Sequence, residues 1–435
     1  MKKIASAIFI LALLFSATAF SQTWKYDGTP DTSLQGNTHA IAVDPAGKVW
    51  FGDYYATDSI KASDGTYPKV RDIYVYNADG TPASFNKMQT ITVGGVTDTL
   101  WNSNRGANLY NDGNVLWASY ATVYLLNYMT GEGMNKFTMN TFSLGCTAPV
   151  ADSLGDIFVR DVAPGYPILS YDNSFGYTGN AIDTAAGYSR TMAVSKDGNT
   201  IYNVGYTNNA IIVYQRPDEF SKYVAVDTIL KGFACESIAW NPKTGYLWAS
   251  SGSNDGQPNN YADTTTSYTY NTWYAYDVNT KTIMDSLHWH YRFSADSTAA
   301  TDPRPRAIAF SPTGDTAYVG CFNNPRSYMV ERFVNTATAV KNEPSNVIKN
   351  YALSQNYPNP FNPTTEINYT VAKAGFVTLR VYDILGREVA NLVNGYKNAG
   401  NFNVNFNASR LASGTYIYQM SVNGVTISKK MVLLK

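Results

Sequence analysis

Three arginines, one glutamate and one histidine recur at a constant distance before a glycine in the first three quarters of the chain. The set is His39, Arg105, Arg190, Glu236 and Arg306. Each lies eight residues before a glycine, except that the turn after Glu236 holds one extra residue. Arginine offers planar, paired donors to carboxylate and phosphate groups, and a carboxylate among them could accept hydrogen bonds or act as a general base. These residues are therefore the candidate binding or catalytic site.

The glycines mark a repeated unit that must position these side chains. Each unit has an apolar strand, a turn that ends in the glycine, a second strand rich in Trp and Tyr, and a third strand. Ile41–Gly47 followed by Val49–Phe51 is one copy, and Ile308–Gly314 followed by Ala317–Val319 is another. Six copies occur, with the marker glycines Gly47, Gly113, Gly155, Gly198, Gly245 and Gly314. Glycine takes the positive φ that a tight hairpin turn needs.

The spacing of the repeats predicts an all-β fold with a six- or seven-bladed β-propeller, although an array of β-sandwiches is an alternative. The marker glycines are 66, 42, 43, 47 and 69 residues apart, and the inner three intervals fit one propeller blade. The two long intervals predict insertions at Tyr54–Lys69 and Gly252–Asn271, which we expect to carry binding loops. We also expect Thr23–Tyr26 to close the ring by pairing into the last blade, whose third strand should end at Val330–Glu331.

The body contains a hairpin of the form IAxxxxG, and through this hairpin it resembles propellers with NHL-type repeats and gluconolactonase-like proteins. In a propeller the innermost strands surround one channel, so the five site residues, with Thr147 in the same register, should converge at one end. Three interpretations of this ring of residues remain open. The ring could be a structural belt in which Glu236 pairs with Arg190. It could instead be a site for a glycan or an anionic small ligand, or a catalytic site that uses Glu236 as in a hydrolase or lactonase. A mainly arginine ring would repel the metal ion that gluconolactonase-like chemistry implies.

The start of the chain predicts export. Lys2 and Lys3 precede an apolar run, and Ala19-Phe20-Ser21 ends a signal peptide at residues 1–21. No later apolar stretch is long enough for a transmembrane helix. Three cysteines without close spacing predict free, buried thiols rather than disulfides.

Charge and composition exclude several classes of partner. The 33 basic and 33 acidic residues balance over the whole chain, but residues 22–335 carry 21 basic and 29 acidic residues. This acidic body argues against a nucleic acid or an anionic membrane as partner. No cofactor or metal site is assigned. His288 and His290 lack a third ligand, and calcium is a weaker hypothesis that rests on aspartates in or beside the insertions. These are Asp53, Asp58, Asp64, Asp255 and Asp263.

The tail, residues 351–435, differs from the body and follows a polar linker at 336–350. Strand patterns predict a small Ig-like β-sandwich, with strands at Glu366–Val371, Phe376–Asp383, Glu388–Val393, Asn401–Asn407, Gly414–Val422 and Val425–Leu434. Four motifs occur in order: Tyr357-Pro358-Asn359-Pro360-Phe361, Val381–Val389 around Gly386, Leu411–Tyr416 around Gly414, and Lys429-Lys430-Met431-Val432-Leu433-Leu434-Lys435.

With these motifs the tail resembles the type A C-terminal sorting domain of proteins that the type IX secretion system of Bacteroidetes exports. The resemblance implies passage through the periplasm and recognition of the tail by the outer-membrane translocon. It also implies processing by a sortase-like peptidase and a final location outside the cell or on the outer-membrane surface. For the body, the sequence favours a binding module over an enzyme or a structural surface protein.

Overall fold

The protein is described by a computed structural model. The described residues are 23–62, 64–219, 221–252, 272–289, 304–322, 328–336, 351–373, 375–397 and 400–435. The predicted signal peptide, nearly all of the linker and most of the second insertion lie outside these ranges.

The body consists of short strands that follow one another along the chain. In order they are β1 (Trp24–Tyr26), β2 (Thr38–Val43), β3 (Val49–Asp53), β4 (Asp58–Ser59), β5 (Lys69–Val70), β6 (Ile73–Tyr76), β7 (Thr90–Val93), β8 (Val96–Thr99), β9 (Asn104–Leu109), β10 (Val115–Ser119), β11 (Thr122–Leu126), β12 (Gly133–Thr138), β13 (Val150–Ala151), β14 (Ile157–Arg160), β15 (Ile168–Tyr171), β16 (Tyr177–Ile182), β17 (Met192–Val194), β18 (Thr200–Gly205), β19 (Ala210–Gln215), β20 (Val224–Ile229), β21 (Ile238–Trp240), β22 (Leu247–Ser250), β23 (Thr272–Asp277), β24 (Thr282–His288), β25 (Arg304–Phe310), β26 (Thr316–Phe322) and β27 (Glu331–Asn335).

These strands form antiparallel sheets that we call blades 1 to 6. The blades are β2-β3-β6, β9-β10-β11-β12, β13-β14-β15-β16, β17-β18-β19-β20, β21-β22-β23-β24 and β25-β26-β27-β1. The innermost strands contact one another in cyclic order, from β2 through β9, β13, β17, β21 and β25 back to β2. The predicted all-β propeller fold is thereby confirmed, and the described residues form six such sheets.

The first strand closes the ring, as the sequence predicts. β1 pairs antiparallel with β27, with Trp24 opposite Asn335 and Tyr26 opposite Phe333. Trp24 is 2% exposed and packs against Trp248 and the neighbouring apolar side chains of the last two blades. One detail of the prediction is wrong: the third strand of blade 6 begins at residue 331 instead of ending there.

The sequence of blade 1 shows how each inner hairpin forms. All six residues of β2 are buried, because this strand is covered on both faces. The carboxylate of Asp44 then accepts hydrogen bonds from the backbone N–H groups of Ala46 and Lys48, and Gly47 follows with a φ of 82°. The other carboxylate oxygen of Asp44 accepts a hydrogen bond from the Trp50 indole, which fixes the second strand to the turn.

The first insertion contains a short hairpin of β4 and β5. A second hairpin, of β7 and β8, was not predicted, and it also lies in the long interval between the first two marker glycines. Its turn, Gly94-Gly95, has positive φ at both positions, as a tight two-residue hairpin needs. The long interval is therefore one blade plus two hairpins.

The tail consists of two packed sheets. Its strands are β28 (Ala352–Leu353), β29 (Thr364–Val371), β30 (Gly375–Tyr382), β31 (Glu388–Lys397), β32 (Gly400–Asn407), β33 (Gly414–Val422) and β34 (Val425–Leu433). The sheets have the orders β28-β29-β32 and β31-β30-β33-β34, and their apolar faces share one buried core. Most predicted strand ends agree with these bounds to within two residues, and β31 extends four residues further than predicted.

Candidate functional site

The predicted site residues lie where the innermost strands begin, at one end of the channel. His39, Arg105 and Arg306 are inside β2, β9 and β25, whereas Arg190 and Glu236 each lie two positions before the first residue of β17 and β21. We call these five residues the arginine ring. A small cavity next to the ring is lined by residues from or beside all six innermost strands, which places it on the central axis.

A β-bulge occurs at three members of the arginine ring. Pairing in blade 1 passes from Thr38 to Ala40, and the same skip occurs at Arg105 in blade 2 and at Arg306 in blade 6. His39 and the two arginines are thus the extra residues that the ladder leaves out. A bulge redirects the side chain that it carries. This explains how an inner strand with both faces packed against neighbouring blades can still present a polar side chain at the channel.

Arg306 and Glu236 form a buried ion pair across blades 5 and 6. Arg306 Nε lies 2.6 Å from Glu236 Oε2, and each residue is at most 2% exposed. Among the described residues, neither Nη1 nor Nη2 of Arg306 has a hydrogen-bond partner. Burial lowers the pKa of Arg306 to about 9, with Glu236 opposing that shift and Arg190 adding to it. Arg306 thus stays charged at neutral pH, with two buried donor groups that lack a partner among the described residues.

His39 lies beside these arginines as a neutral imidazole. It is 5% exposed, and within the described part of the chain neither ring nitrogen has a hydrogen-bond partner. Burial holds the pKa of His39 well below its ordinary value, and the charges of Arg306, Arg190 and Arg105 lower it further. The imidazole ring packs at 4.3 Å from the ring of Tyr54. Its nitrogens are available to bind a polar group without adding charge.

Arg105 is held by aromatic rings and one carbonyl group. One Nη donates to the Tyr54 hydroxyl at 3.2 Å, and the other donates to the Leu144 carbonyl at 2.6 Å. The guanidinium lies over the rings of Tyr54 and Tyr120, at 5.3 and 5.7 Å from their centroids. Cation–π packing stabilises the positive charge without neutralising it.

Arg190 is held in the same way. Its guanidinium lies 5.3 Å from the centroid of Tyr206 and donates to the hydroxyl of that residue at 3.4 Å. Arg306 in turn lies 4.9 Å from the centroid of Phe322. The predicted belt is therefore present only in part, because Glu236 pairs with Arg306 whereas Arg190 packs on an aromatic ring.

Sequence reasoning missed the aromatic residues that support the arginines. We call them the inner aromatic tier: Tyr54, Tyr120, Tyr206 and Phe322. Each lies at the end of the second strand of its blade or directly after it. These residues lie seven or eight positions after the marker glycine of their blade. In blades 3 and 5 the corresponding position lies six residues after the marker glycine and is occupied by Asp161 and Ser251. An alignment of the six repeats that allowed the second strands to differ in length would have identified the inner aromatic tier.

Thr147, the sixth member of the register, has a structural role. Its hydroxyl accepts a hydrogen bond from the backbone N–H of Arg160 at 3.3 Å. Arg160 is fully buried and donates to the carbonyls of residues 161, 163, 185, 186 and 187 and to the side chain of Asn203. This arginine joins the loops of blades 3 and 4, and it does not belong to the ring.

The channel is narrow beside the arginine ring. The cavity lined by His39, Arg190 and Arg306 has a volume of about 20 Å³. A space of this size holds about one water molecule. A ligand larger than a water molecule therefore cannot pass through the channel at this point.

The other candidates do not form a metal site in the described part of the chain. There, no group of three or more His, Cys, Asp or Glu side chains is arranged to hold a metal ion. Asp58 forms an ion pair with Lys87, and Asp64 accepts hydrogen bonds from Thr66. His288 accepts from or donates to the Thr272 hydroxyl at 2.9 Å. His290, Asp255 and Asp263 lie outside the described residues. The three cysteines are free and buried, as predicted.

The predicted sorting motifs lie at turns and along the last strand of the tail. Phe361 is buried and forms a parallel bridge with Leu433, so the first motif contacts the last one. Tyr357, next to Pro358, Asn359 and Pro360, is largely exposed. Gly386 has a φ of 78° in the turn between β30 and β31. The remaining sorting residues are Gly414, which begins β33, Lys429 and Lys430 in β34, and Lys435, whose ammonium donates to the Ser409 carbonyl.

Comparison with known proteins identifies the tail. Residues 355–434 match the family described as secretion system C-terminal sorting domain. The protein is thus a substrate of the type IX secretion system that carries a β-propeller body, and it is exported to the cell surface or the extracellular space. No curated protein matches the sequence. In the described residues, no helix is long and apolar enough to cross a membrane.

The chain is similar to two solved structures at low sequence identity. A structure of streptogramin B lyase is 11% identical, has a TM-score of 0.46, and is matched over 71% of this chain and 97% of that chain. The β-propeller domain of Cps50 (Swd1) from Myceliophteria thermophila is 10% identical, has a TM-score of 0.40, and is matched over 69% of this chain and 83% of that chain.

Proposed function

We propose that the propeller binds an anionic small ligand at the channel end that carries the arginine ring. The observation that supports this most directly is the buried guanidinium of Arg306, whose two Nη groups have no hydrogen-bond partner among the described residues. A buried donor without a partner is costly. A bound anion would satisfy these donors and the single N–H of the neutral His39 imidazole.

The electrostatics of the site favour an anion over a neutral ligand. Arg105 and Arg190 pack on tyrosines, so aromatic contact supports their charges without cancelling them. Glu236 offsets one positive charge through its ion pair with Arg306. The ring therefore has a net positive charge in a body whose overall charge is negative, and its position on the axis sets it apart from the acidic surface.

The experiment is calorimetric titration of the mature protein with galacturonate, benzoate and inorganic phosphate at low ionic strength. Galactose and benzyl alcohol serve as the neutral counterparts. At least one anion should bind, and its neutral counterpart should not. A hydrogen bond to a charged group contributes about 1.5–3 kcal/mol, so Arg105→Ala plus Arg190→Ala, which removes two such donors, should weaken binding by at least about 150-fold.

Arg216→Ala is the matched control. Arg216 also packs over a tyrosine, Tyr223, at 4.8 Å from the ring centroid, but it lies in the segment between β19 and β20, away from the channel. Its loss should leave anion binding unchanged. If the double variant binds every anion as the wild-type protein does, the arginine ring is not the binding site.

Catalysis is the second candidate and has less support. The ion pair with Arg306 already engages the Glu236 carboxylate. A general base must reach the proton that it removes, and this pairing opposes that role. Glu236→Gln should leave ligand binding largely intact. A ligand that the wild-type protein converts and Glu236→Gln does not would favour the enzyme.

For export, we propose that the outer-membrane translocon and a sortase-like peptidase handle the tail. The contact between the Phe361 segment and the last strand supports a single recognition surface, since it joins the two ends of the tail. Deletion of residues 430–435 should retain the protein inside the cell envelope. Surface exposure of the deleted protein, detected with antibody on intact cells, would contradict this proposal.

A further inference from the structure

A second layer of aromatic rings lies outside the inner aromatic tier. Tyr55 contacts Tyr54 at 5.0 Å, and Tyr188 contacts Tyr206 at 5.9 Å. Phe142 contacts Tyr120 at 5.7 Å. These three outer residues are exposed, with Tyr55 at 55%. We call them the outer aromatic tier.

The outer aromatic tier belongs to the same end of the channel as the arginine ring. Strands alternate in direction within a blade, so the ends of second strands and the starts of innermost strands lie at the same end. Tyr55 follows the second strand of blade 1, whereas Phe142 and Tyr188 precede the innermost strands of blades 3 and 4. Each of the three rings therefore contacts a residue of the inner aromatic tier, which in turn packs against an arginine of the ring or against His39.

We propose, on the basis of the anion site in the arginine ring, that the ligand is the end of an acidic oligosaccharide. Its terminal uronate carboxylate binds the arginine ring, and the next sugar rings pack on the outer aromatic tier.

The size of the cavity supports binding by a chain end. The space of about 20 Å³ beside the ring is too small for a sugar chain that continues through the channel. The negative charge of the rest of the body also repels an acidic chain that lies along its surface. Attraction is therefore concentrated at the ring, and the chain extends away from it.

The chemistry of the outer rings favours a sugar over a single small acid. Tyr55, Phe142 and Tyr188 come from separate segments of the chain, so a molecule that fills only the ring leaves them exposed to water. Sugar rings present C–H faces that can cover aromatic rings, and their hydroxyl groups can bond to tyrosine hydroxyls.

The test compares trigalacturonate, galacturonate and the neutral galactose trisaccharide by calorimetric titration of the mature protein. Trigalacturonate should bind more tightly than galacturonate, and the neutral trisaccharide should bind at least about tenfold more weakly than trigalacturonate. Tyr55→Ala and Tyr188→Ala should each weaken trigalacturonate binding about tenfold, which is the effect of covering about 50 Å² of apolar surface. The same variants should leave galacturonate binding unchanged.

Tyr177→Ala is the matched control, because Tyr177 is an exposed tyrosine on β16, the outermost strand of blade 3. Its loss should change neither affinity. Equal affinity for the two acids, with no effect of Tyr55→Ala or Tyr188→Ala, would overturn the oligosaccharide inference and leave the anion site in place. Tightest binding of benzoate would also overturn it. No binding of any anion would refute both the inference and the proposed function.

Discussion

The ring closure by β1 gives the most direct test of the fold. Trp24 is 2% exposed, and its indole lies 5.4 Å from Trp248 and 5.9 Å from Phe310 between ring centroids. The indole N–H donates to the Asp285 carboxylate at 3.0 Å. Trp24→Ala removes this apolar contact and the hydrogen bond together, so it should weaken the closure of the ring.

The magnitude follows from burial. Replacing a buried Trp by Ala in a core costs about 3–5 kcal/mol of unfolding free energy, because the apolar contact is lost and a cavity remains. A matched variant, Trp24→Phe, keeps most of the apolar contact and loses the N–H donor. It should cost about 1–2 kcal/mol.

The assay is urea unfolding of the mature protein, followed by far-UV circular dichroism so that the loss of a fluorescent Trp does not affect the signal. Trp101→Ala is the control, since Trp101 is 42% exposed, and it should cost below about 0.5 kcal/mol. If Trp24→Ala destabilises the body no more than Trp101→Ala does, the closure of the ring by β1 is refuted.

Two further changes test buried charges. Arg160→Lys should lower the free energy of unfolding, measured with urea, by about 3–5 kcal/mol. An ammonium has three donors where the guanidinium serves six acceptors, so several buried carbonyls would lose their partner. An unchanged unfolding midpoint would show that Arg160 does not join blades 3 and 4. Burial raises the pKa of Asp53 from 3.8 to about 6, so the folded protein binds a proton between these values that the unfolded chain does not. Lowering the pH from 7 to 4 should thus stabilise the wild-type protein relative to Asp53→Asn by at most about 3 kcal/mol, and parallel stability curves for the two proteins would contradict the buried position of that carboxylate.

Local patterns were sufficient to predict most of the strands and turns. The marker glycines identified the inner hairpins because only a residue with positive φ completes those turns, as Gly47 shows. The alternation of apolar residues gave most of the tail strands to within two residues, because one face of each sheet is buried. The hairpin of β7 and β8 could have been predicted as well, since Gly94-Gly95 between valines is a strong two-residue turn signal.

The candidate site was harder to predict because it depends on side-chain directions. The fixed distance to the glycines gave Arg105, Arg190 and Arg306, but the bulges that direct two of them have no clear sequence signal. The inner aromatic tier was missed since the second strands differ in length. The role of Arg160 could not be predicted, because its acceptors are mostly backbone carbonyls, which any residue type supplies.

The pairing of β1 with β27 also sets the order in which the protein can fold. Trp24 pairs with Asn335, which lies 311 positions later in the chain, and closing a loop of that length costs about 5 kcal/mol of chain entropy. A ribosome makes β1 first, yet this strand has no partner until the last blade exists. The side chains of Trp24 and Tyr26, which pack in or against the core of the closed ring, are therefore unpacked until the last blade has formed. The step that completes the ring is the latest one available to the body, and any protease or chaperone in the compartment where it folds meets the unclosed form first.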